Sequence, residues 1–91
     1  METRLYSFLR LQAGSRSLTL DLLQPTPLAE VLAQIVRLHP KLGPSLLGDG
    51  RGPAKHLVVT INGRQWRGER DAPPLISDAD VLDLFSAIGG G

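Results

Sequence analysis

One amphipathic run limits what this chain can become. From Leu28 to Leu38 the apolar residues Leu28, Val31, Leu32, Ile35 and Leu38 recur at helical spacing. Glu30, Gln34 and Arg37 fall on the opposite, wet side. Thr26 precedes the run as an expected N-cap, and Pro27 stands at the expected first helical position, where its missing N–H costs nothing. Pro40 stops the helix. The stretches on either side of it alternate with period two. A single helix with one apolar stripe, flanked by strands, has to bury that stripe against a sheet.

Arg4 to Gln12 reads as a first strand with apolar groups on both parities, Leu5, Leu9 and Leu11 on one and Tyr6 and Phe8 on the other. Ala13-Gly14-Ser15-Arg16 reads as a turn. Ser17 to Leu23 alternates cleanly, with Leu18, Leu20 and Leu22 facing one way, so residues 4–23 are expected to form an antiparallel hairpin. Pro44 to Leu47 has room for a short turn of helix, and 48–53 is a loop. A strand over His56 to Ile61 places Leu57, Val59 and Ile61 on one parity. Asn62-Gly63 is a strong hairpin signal, since both positions accept positive φ. Arg64 to Arg67 returns, Asp71 to Asp80 connects, and Val81 to Phe85 is the last strand with Leu82 and Leu84 inward. The order strand, strand, helix, strand, short strand, strand predicts an α+β domain of β-grasp, ubiquitin-like type. In it a mixed sheet wraps one main helix over residues 1–88, and 89–91 form a flexible tail.

Several function classes recede on composition. The ten Lys and Arg are scattered and the formal charge is +1, so no nucleic-acid stripe is expected. The absence of cysteine removes disulfides, thiolate metal sites and cysteine nucleophiles. His39 and His56 stand without ligand spacing, so no metal is expected. Gly48-Asp49-Gly50-Arg51-Gly52 lacks the strand-to-helix setting of a phosphate loop. Trp66 is expected to pack across the second hairpin. No run approaches membrane-spanning length, and the chain reads as soluble and cytoplasmic, with no membrane partner. Phe8 and Phe85 are core residues or an exposed aromatic patch; the residues alone leave both open.

After the last strand and Ser86-Ala87-Ile88 come three glycines, Gly89, Gly90 and Gly91. They are either a frayed terminus or a thread. Without Cβ atoms, three extended residues reach roughly 10 Å through a tunnel closed to any other residue type. The carboxylate at the tip is ionised at neutral pH and resists nucleophiles until it is activated, for example as an acyl-adenylate made from ATP.

Several segments together resemble the MoaD/ThiS family of ubiquitin-like sulfur carriers, most closely MoaD, the small subunit of molybdopterin synthase. They are Phe8-Leu9-Arg10-Leu11-Gln12-Ala13-Gly14, Thr26-Pro27-Leu28-Ala29-Glu30-Val31-Leu32, His39-Pro40, Val58-Val59-Thr60-Ile61-Asn62-Gly63, Pro74-Leu75, Asp78-Ala79-Asp80-Val81 and the final Gly90-Gly91. The sequence departs from that pattern at Ala79, where the family usually has Gly, and at Ser86-Ala87, where MoaD tails carry Pro-Pro. Residues 39–55 are longer than the corresponding region of the thiamin branch.

The resemblance implies that an E1-like adenylating enzyme of MoeB/ThiF type, using ATP, adenylates Gly91 and converts it to a thiocarboxylate. It implies that Gly89 and Gly90 are the thread, and that Phe8, Val59 and Phe85 dock the partner. The chain itself would supply no catalytic side chain and hold no permanent cofactor. The sulfur acceptor would be a partner such as the large molybdopterin synthase subunit, of MoaE type. Carriers for cysteine, tRNA thiolation, thiamin or secondary metabolites, a ubiquitin-like protein modifier, and a non-covalent β-grasp binding module are the other readings.

Overall fold

The structure, a computed structural model, describes residues 1–48, 53–68 and 71–86. Its centre is a five-stranded mixed sheet in the order β2-β1-β7-β4-β5. The strands are β1 (Glu2–Leu5), β2 (Ser17–Thr19), β4 (Leu57–Ile61), β5 (Arg64–Trp66) and β7 (Val81–Ser86). β1 and β7 run parallel in the middle, and every other neighbouring pair is antiparallel. A second, two-stranded sheet joins β3 (Thr26–Pro27) to β6 (Leu75–Ile76). The main helix, α2 (Leu28–Leu38), is followed by a 3-10 turn at Pro40–Leu42 and a short helix α3 (Gly43–Leu47). The arrangement is the expected β-grasp.

The main helix buries Leu28, Val31, Leu32 and Ile35, as the spacing predicts. Leu38 does not join them; it is exposed, because the helix ends there and His39 turns the chain into Pro40. Glu30 and Arg37 meet on the wet face at 3.2 Å. Thr26 is not the N-cap. It belongs to β3, its hydroxyl donates to the Gln24 carbonyl, and the cap position falls to Pro27. Leu18, Leu20, Leu22, Val59, Ile76, Leu82 and Leu84 complete the core with Leu5, Leu9, Leu42 and Leu46.

The largest departure from expectation lies in residues 4–12. The strand stops at Leu5, and Ser7–Ala13 is a helix, α1. Ser7 takes φ +49°, which breaks the extended chain, and Gly14 ends the helix at φ +71° with its N–H on the Arg10 carbonyl at 2.9 Å. Apolar residues appeared on both parities because they follow a helical period: Leu9 is buried with Ala13 packed beside it, while Leu11 is exposed. β1 and β2 do pair antiparallel, Thr3 opposite Leu18, but a helix joins them rather than a tight turn. The second hairpin is as expected, with Asn62 at φ +53° and Gly63 at φ +85°. Trp66 stands opposite Val59, half-buried, and its indole N–H donates to the Ala72 carbonyl at 3.3 Å. Ala79 fits its turn without strain: among the described residues only Ser7 and Asn62 are non-glycine positions with positive φ. The turn closes through the Asp80 N–H on the Ser77 carbonyl at 3.0 Å. No helix among the described residues is long and apolar enough to cross a membrane.

Candidate functional site

The last strand leads into the glycine tail, so the site is built outward from β7. Its alternation sends Leu82 and Leu84 into the core and Asp83 and Phe85 to the outer face of the sheet. Register sets their neighbours. Arg4 on β1 and Thr60 on β4 lie directly beside Asp83, and Val58 lies beside Phe85. Tyr6 follows two residues after Arg4, on the same side of the sheet.

These side chains form one cluster. The Asp83 carboxylate accepts from Arg4 Nε at 2.7 Å and Arg4 Nη2 at 3.2 Å, from the Tyr6 hydroxyl at 2.8 Å, and from the Thr60 hydroxyl at 3.2 Å. The Tyr6 ring stacks on Phe85 with centroids 4.4 Å apart and planes 12° from parallel. Asp83 is only 6% exposed although it sits on the solvent side of the sheet. Burial alone would push its carboxyl up, but the hydrogen bonds from Arg4, Tyr6 and Thr60 hold it below the ordinary carboxylate value. The same contacts raise the Arg4 guanidinium and the Tyr6 phenol, each chiefly through its hydrogen bond to Asp83. The face thus presents two parallel rings beside a paired guanidinium.

A second feature lies at the root of the tail. A cleft of about 390 Å³ is lined by Phe8 of α1, Pro44 and Ser45 of α3, Lys55, His56 and Ser86. A larger open groove of about 980 Å³ runs past Trp66, Leu57, Lys55 and Arg67 on the β5 side.

The structure separates the residues expected to dock a partner. Phe85 is exposed on the outer face. Phe8 is exposed too, but it sits on a helix and borders the cleft with Ser86 rather than stacking with Phe85. Val59 is not a surface residue. It is fully buried between Leu84 and Trp66 on the inner parity of β4, which removes it from any docking patch. Gly89, Gly90 and Gly91 lie outside the described residues. Among the described residues no group of three or more His, Cys, Asp or Glu is placed to hold a metal ion. Arg4, Tyr6 and Asp83 were not singled out in the sequence. The parity shared by Asp83 and Phe85 was the signal available for one of them.

No curated protein sequence matches the chain at a significant level. Among solved structures it is similar to SAMP1 from Haloferax volcanii, with 28% identity, TM-score 0.81, and coverage of 99% of this chain and 97% of that one. A Pyrococcus furiosus protein described as a candidate molybdopterin converting factor subunit 1 shares the fold at 18% identity, TM-score 0.71, covering 96% and 95%. Sulfolobus solfataricus Urm1 shares it at 21% identity, TM-score 0.61, covering 94% and 99%. The sequence model of the ThiS family matches residues 4–91. On that match, which runs from the first strand through the terminal glycines, the chain belongs to the ThiS family of ubiquitin-like sulfur carriers and small modifiers.

Proposed function

We propose that this protein is a sulfur carrier whose Gly91 carboxylate is adenylated by an E1-like enzyme and converted to a thiocarboxylate. The observation that carries the reading is the family match through residue 91, on a domain whose central strand ends at Ser86, five residues before the chain's last glycine. The carboxylate attacks the α-phosphate of ATP and releases pyrophosphate. Sulfide then attacks the acyl carbon, the acyl–phosphate C–O bond breaks to release AMP, and the thiocarboxylate is left. Residues 1–88 serve as the docking domain and 89–91 as the thread. The segments resembling MoaD favour delivery to molybdopterin synthesis, with a MoaE-type large subunit holding the catalytic residues. Similarity to SAMP1, a small archaeal modifier protein, supports a second reading in which the same activated Gly91 forms an isopeptide bond with a lysine.

The test is incubation of the full chain with the adenylating enzyme of its own genome, ATP and a sulfur donor, read by intact-protein mass spectrometry. Oxygen-to-sulfur exchange confined to the C-terminal peptide is expected. Deleting Gly91 shortens the thread by about 3.4 Å. That exceeds the ~1 Å misplacement that can cost a hundredfold in a positioned reaction, so the deletion abolishes the exchange. Sulfur acquired by the deletion variant, or never acquired by the parent chain, refutes the carrier reading. Higher-mass lysine conjugates in cells support the modifier reading.

A further inference from the structure

The glycine thread does not explain the centre of the outer sheet face. A face that only meets water would leave Asp83 hydrated, and a face that only docks apolar surface would carry no carboxylate. Here the carboxylate is nearly buried among four donor contacts from three side chains on two neighbouring strands and the segment just past β1. Its effect is mechanical. The hydroxyl of Tyr6 is tied to Asp83, and the ring of Tyr6 is stacked on Phe85, so both rings are held before any partner arrives. Rings already fixed lose less rotamer freedom on docking. Arg4 is fixed by the same fork, yet its side chain remains 48% exposed. A guanidinium has five N–H donors, and the fork on Asp83 engages two of its nitrogens.

We propose that Asp83 is a positioning residue for docking, holding Tyr6 and Arg4 so that Tyr6, Phe85 and Arg4 together recognise an apolar socket flanked by a carboxylate on the adenylating partner. The inference rests on the carrier reading. Continuity favours that occupant: Phe85 is one residue from Ser86, where the described strand gives way to the tail that the partner must receive. The charge on the rim supplies the complementarity, an exposed cation beside two rings. Asp83 touches no reacting atom and acts through Tyr6 and Arg4.

The experiment measures the dissociation constant of the full chain for its adenylating enzyme without ATP, at low and high salt, for the parent chain and for Asp83→Ala, Tyr6→Phe, Arg4→Gln and Phe85→Ala. Thiocarboxylate formation at saturating carrier is followed in parallel by mass spectrometry. Asp83→Ala is expected to weaken docking about tenfold or more, as loss of a well-packed contact does. Tyr6→Phe keeps the ring and cuts the link, so it weakens docking too, and combining it with Asp83→Ala adds little further loss, because both changes sever one connection. Docking by the parent chain weakens with salt, and Arg4→Gln flattens that dependence. At saturation the variants still gain sulfur.

Folded Asp83→Ala and Tyr6→Phe variants that bind like the parent chain overturn the proposal. Should Asp83→Ala fail to fold, unchanged docking by Tyr6→Phe and Arg4→Gln overturns it alone. Self-association of the parent chain that Phe85→Ala abolishes would assign the face to a second copy and also overturn it. If the parent chain gains sulfur while every variant docks normally, only this proposal fails. If the parent chain neither docks nor gains sulfur, the carrier reading fails with it.

Discussion

Leu84 and Phe85 are consecutive residues of one strand on opposite faces, so truncating each in turn separates core from docking surface. Leu84 is fully buried against the helix side of the sheet, and Leu84→Ala should cost about 2–5 kcal/mol as a core cavity. Phe85 is 36% exposed and is covered chiefly by Tyr6 and the sheet beneath it. The stacked pair contributes about 0.5–1.5 kcal/mol beyond area burial. Phe85→Ala should therefore cost roughly 1.5–3.5 kcal/mol in all, by that stacking and the partial burial. For a small domain with a urea m-value of about 1 kcal/mol/M, the midpoint falls by about 1.5–3.5 M for Phe85→Ala and about 2–5 M for Leu84→Ala. Binding should order the two the other way. Truncating an aromatic anchor costs about 2 kcal/mol or more, roughly thirtyfold in affinity, whereas folded Leu84→Ala keeps the parent affinity. Urea melts and titration of the adenylating enzyme read the two quantities independently. A Phe85→Ala variant as unstable as Leu84→Ala, with unchanged affinity, would return Phe85 to the core and remove the outer face from the docking argument.

The helix face is checked by Leu32→Ala, expected to lose about 2–5 kcal/mol, against Glu30→Ala, which breaks only an exposed ion pair and should lose under about 0.5 kcal/mol; equal small losses would mean the face is wrongly assigned. The acid limb of stability is checked by Asp83→Asn. The folded carboxyl of Asp83 is held below its ordinary value, as are those of Asp78, chiefly by the Leu22 N–H, and Asp80, chiefly by the Ser77 N–H. Stability from such groups is fully present above the unfolded carboxylate pKa of about 3.9 and is lost as pH falls through the depressed folded values. Thermal melts of the parent chain should therefore fall below about pH 4, with a shallower fall in Asp83→Asn; parallel curves would show that Asp83 contributes nothing to the acid limb.

The period of two in Ser17 to Leu22 and in Leu57 to Ile61, the helical period from Leu28 to Ile35 and the Asn62-Gly63 turn are local signals, and they placed most of the core. The misread segment, 4–12, lacks such signals. Its helix spans about two turns, and Tyr6 at the cap position makes no side-chain cap bond, so no start signal marks it. Leu5, Leu9 and Leu11 fit an alternating pattern by accident of spacing. The β3–β6 bridge is too short, and too proline-bound, to leave a pattern at all. Val59 is the instructive case for the site. Its parity with Leu57 and Ile61 grouped it with two apolar residues without saying which face they share, and the family resemblance suggested the surface. Asp83 was legible as an outward residue of β7. Its partners were not, because they depend on β1 lying parallel to β7 in one register, a long-range fact that no window of sequence contains.

That register also bears on where specificity resides. β7 is hydrogen-bonded on both sides, to β1 through Leu84 and to β4 through Ser86, so Phe85 and Ser86 are fixed relative to the whole outer face. Five residues, 87–91, follow Ser86, and a fully extended chain spans at most about 3.4 Å per residue, or roughly 17 Å. A partner that docks Phe85 must therefore place its adenylating centre within about that reach. The last three residues are glycines and carry no side chain by which one enzyme could be told from another. Discrimination between an activating enzyme and a sulfur acceptor, or between pathways, has to come from surface within the same reach. The outer face meets that requirement with Tyr6, Phe85 and Arg4 held by Asp83. On the carrier reading the terminal glycines undergo the chemistry, and the proposal assigns the choice of the enzyme that performs it to the side chains around Asp83.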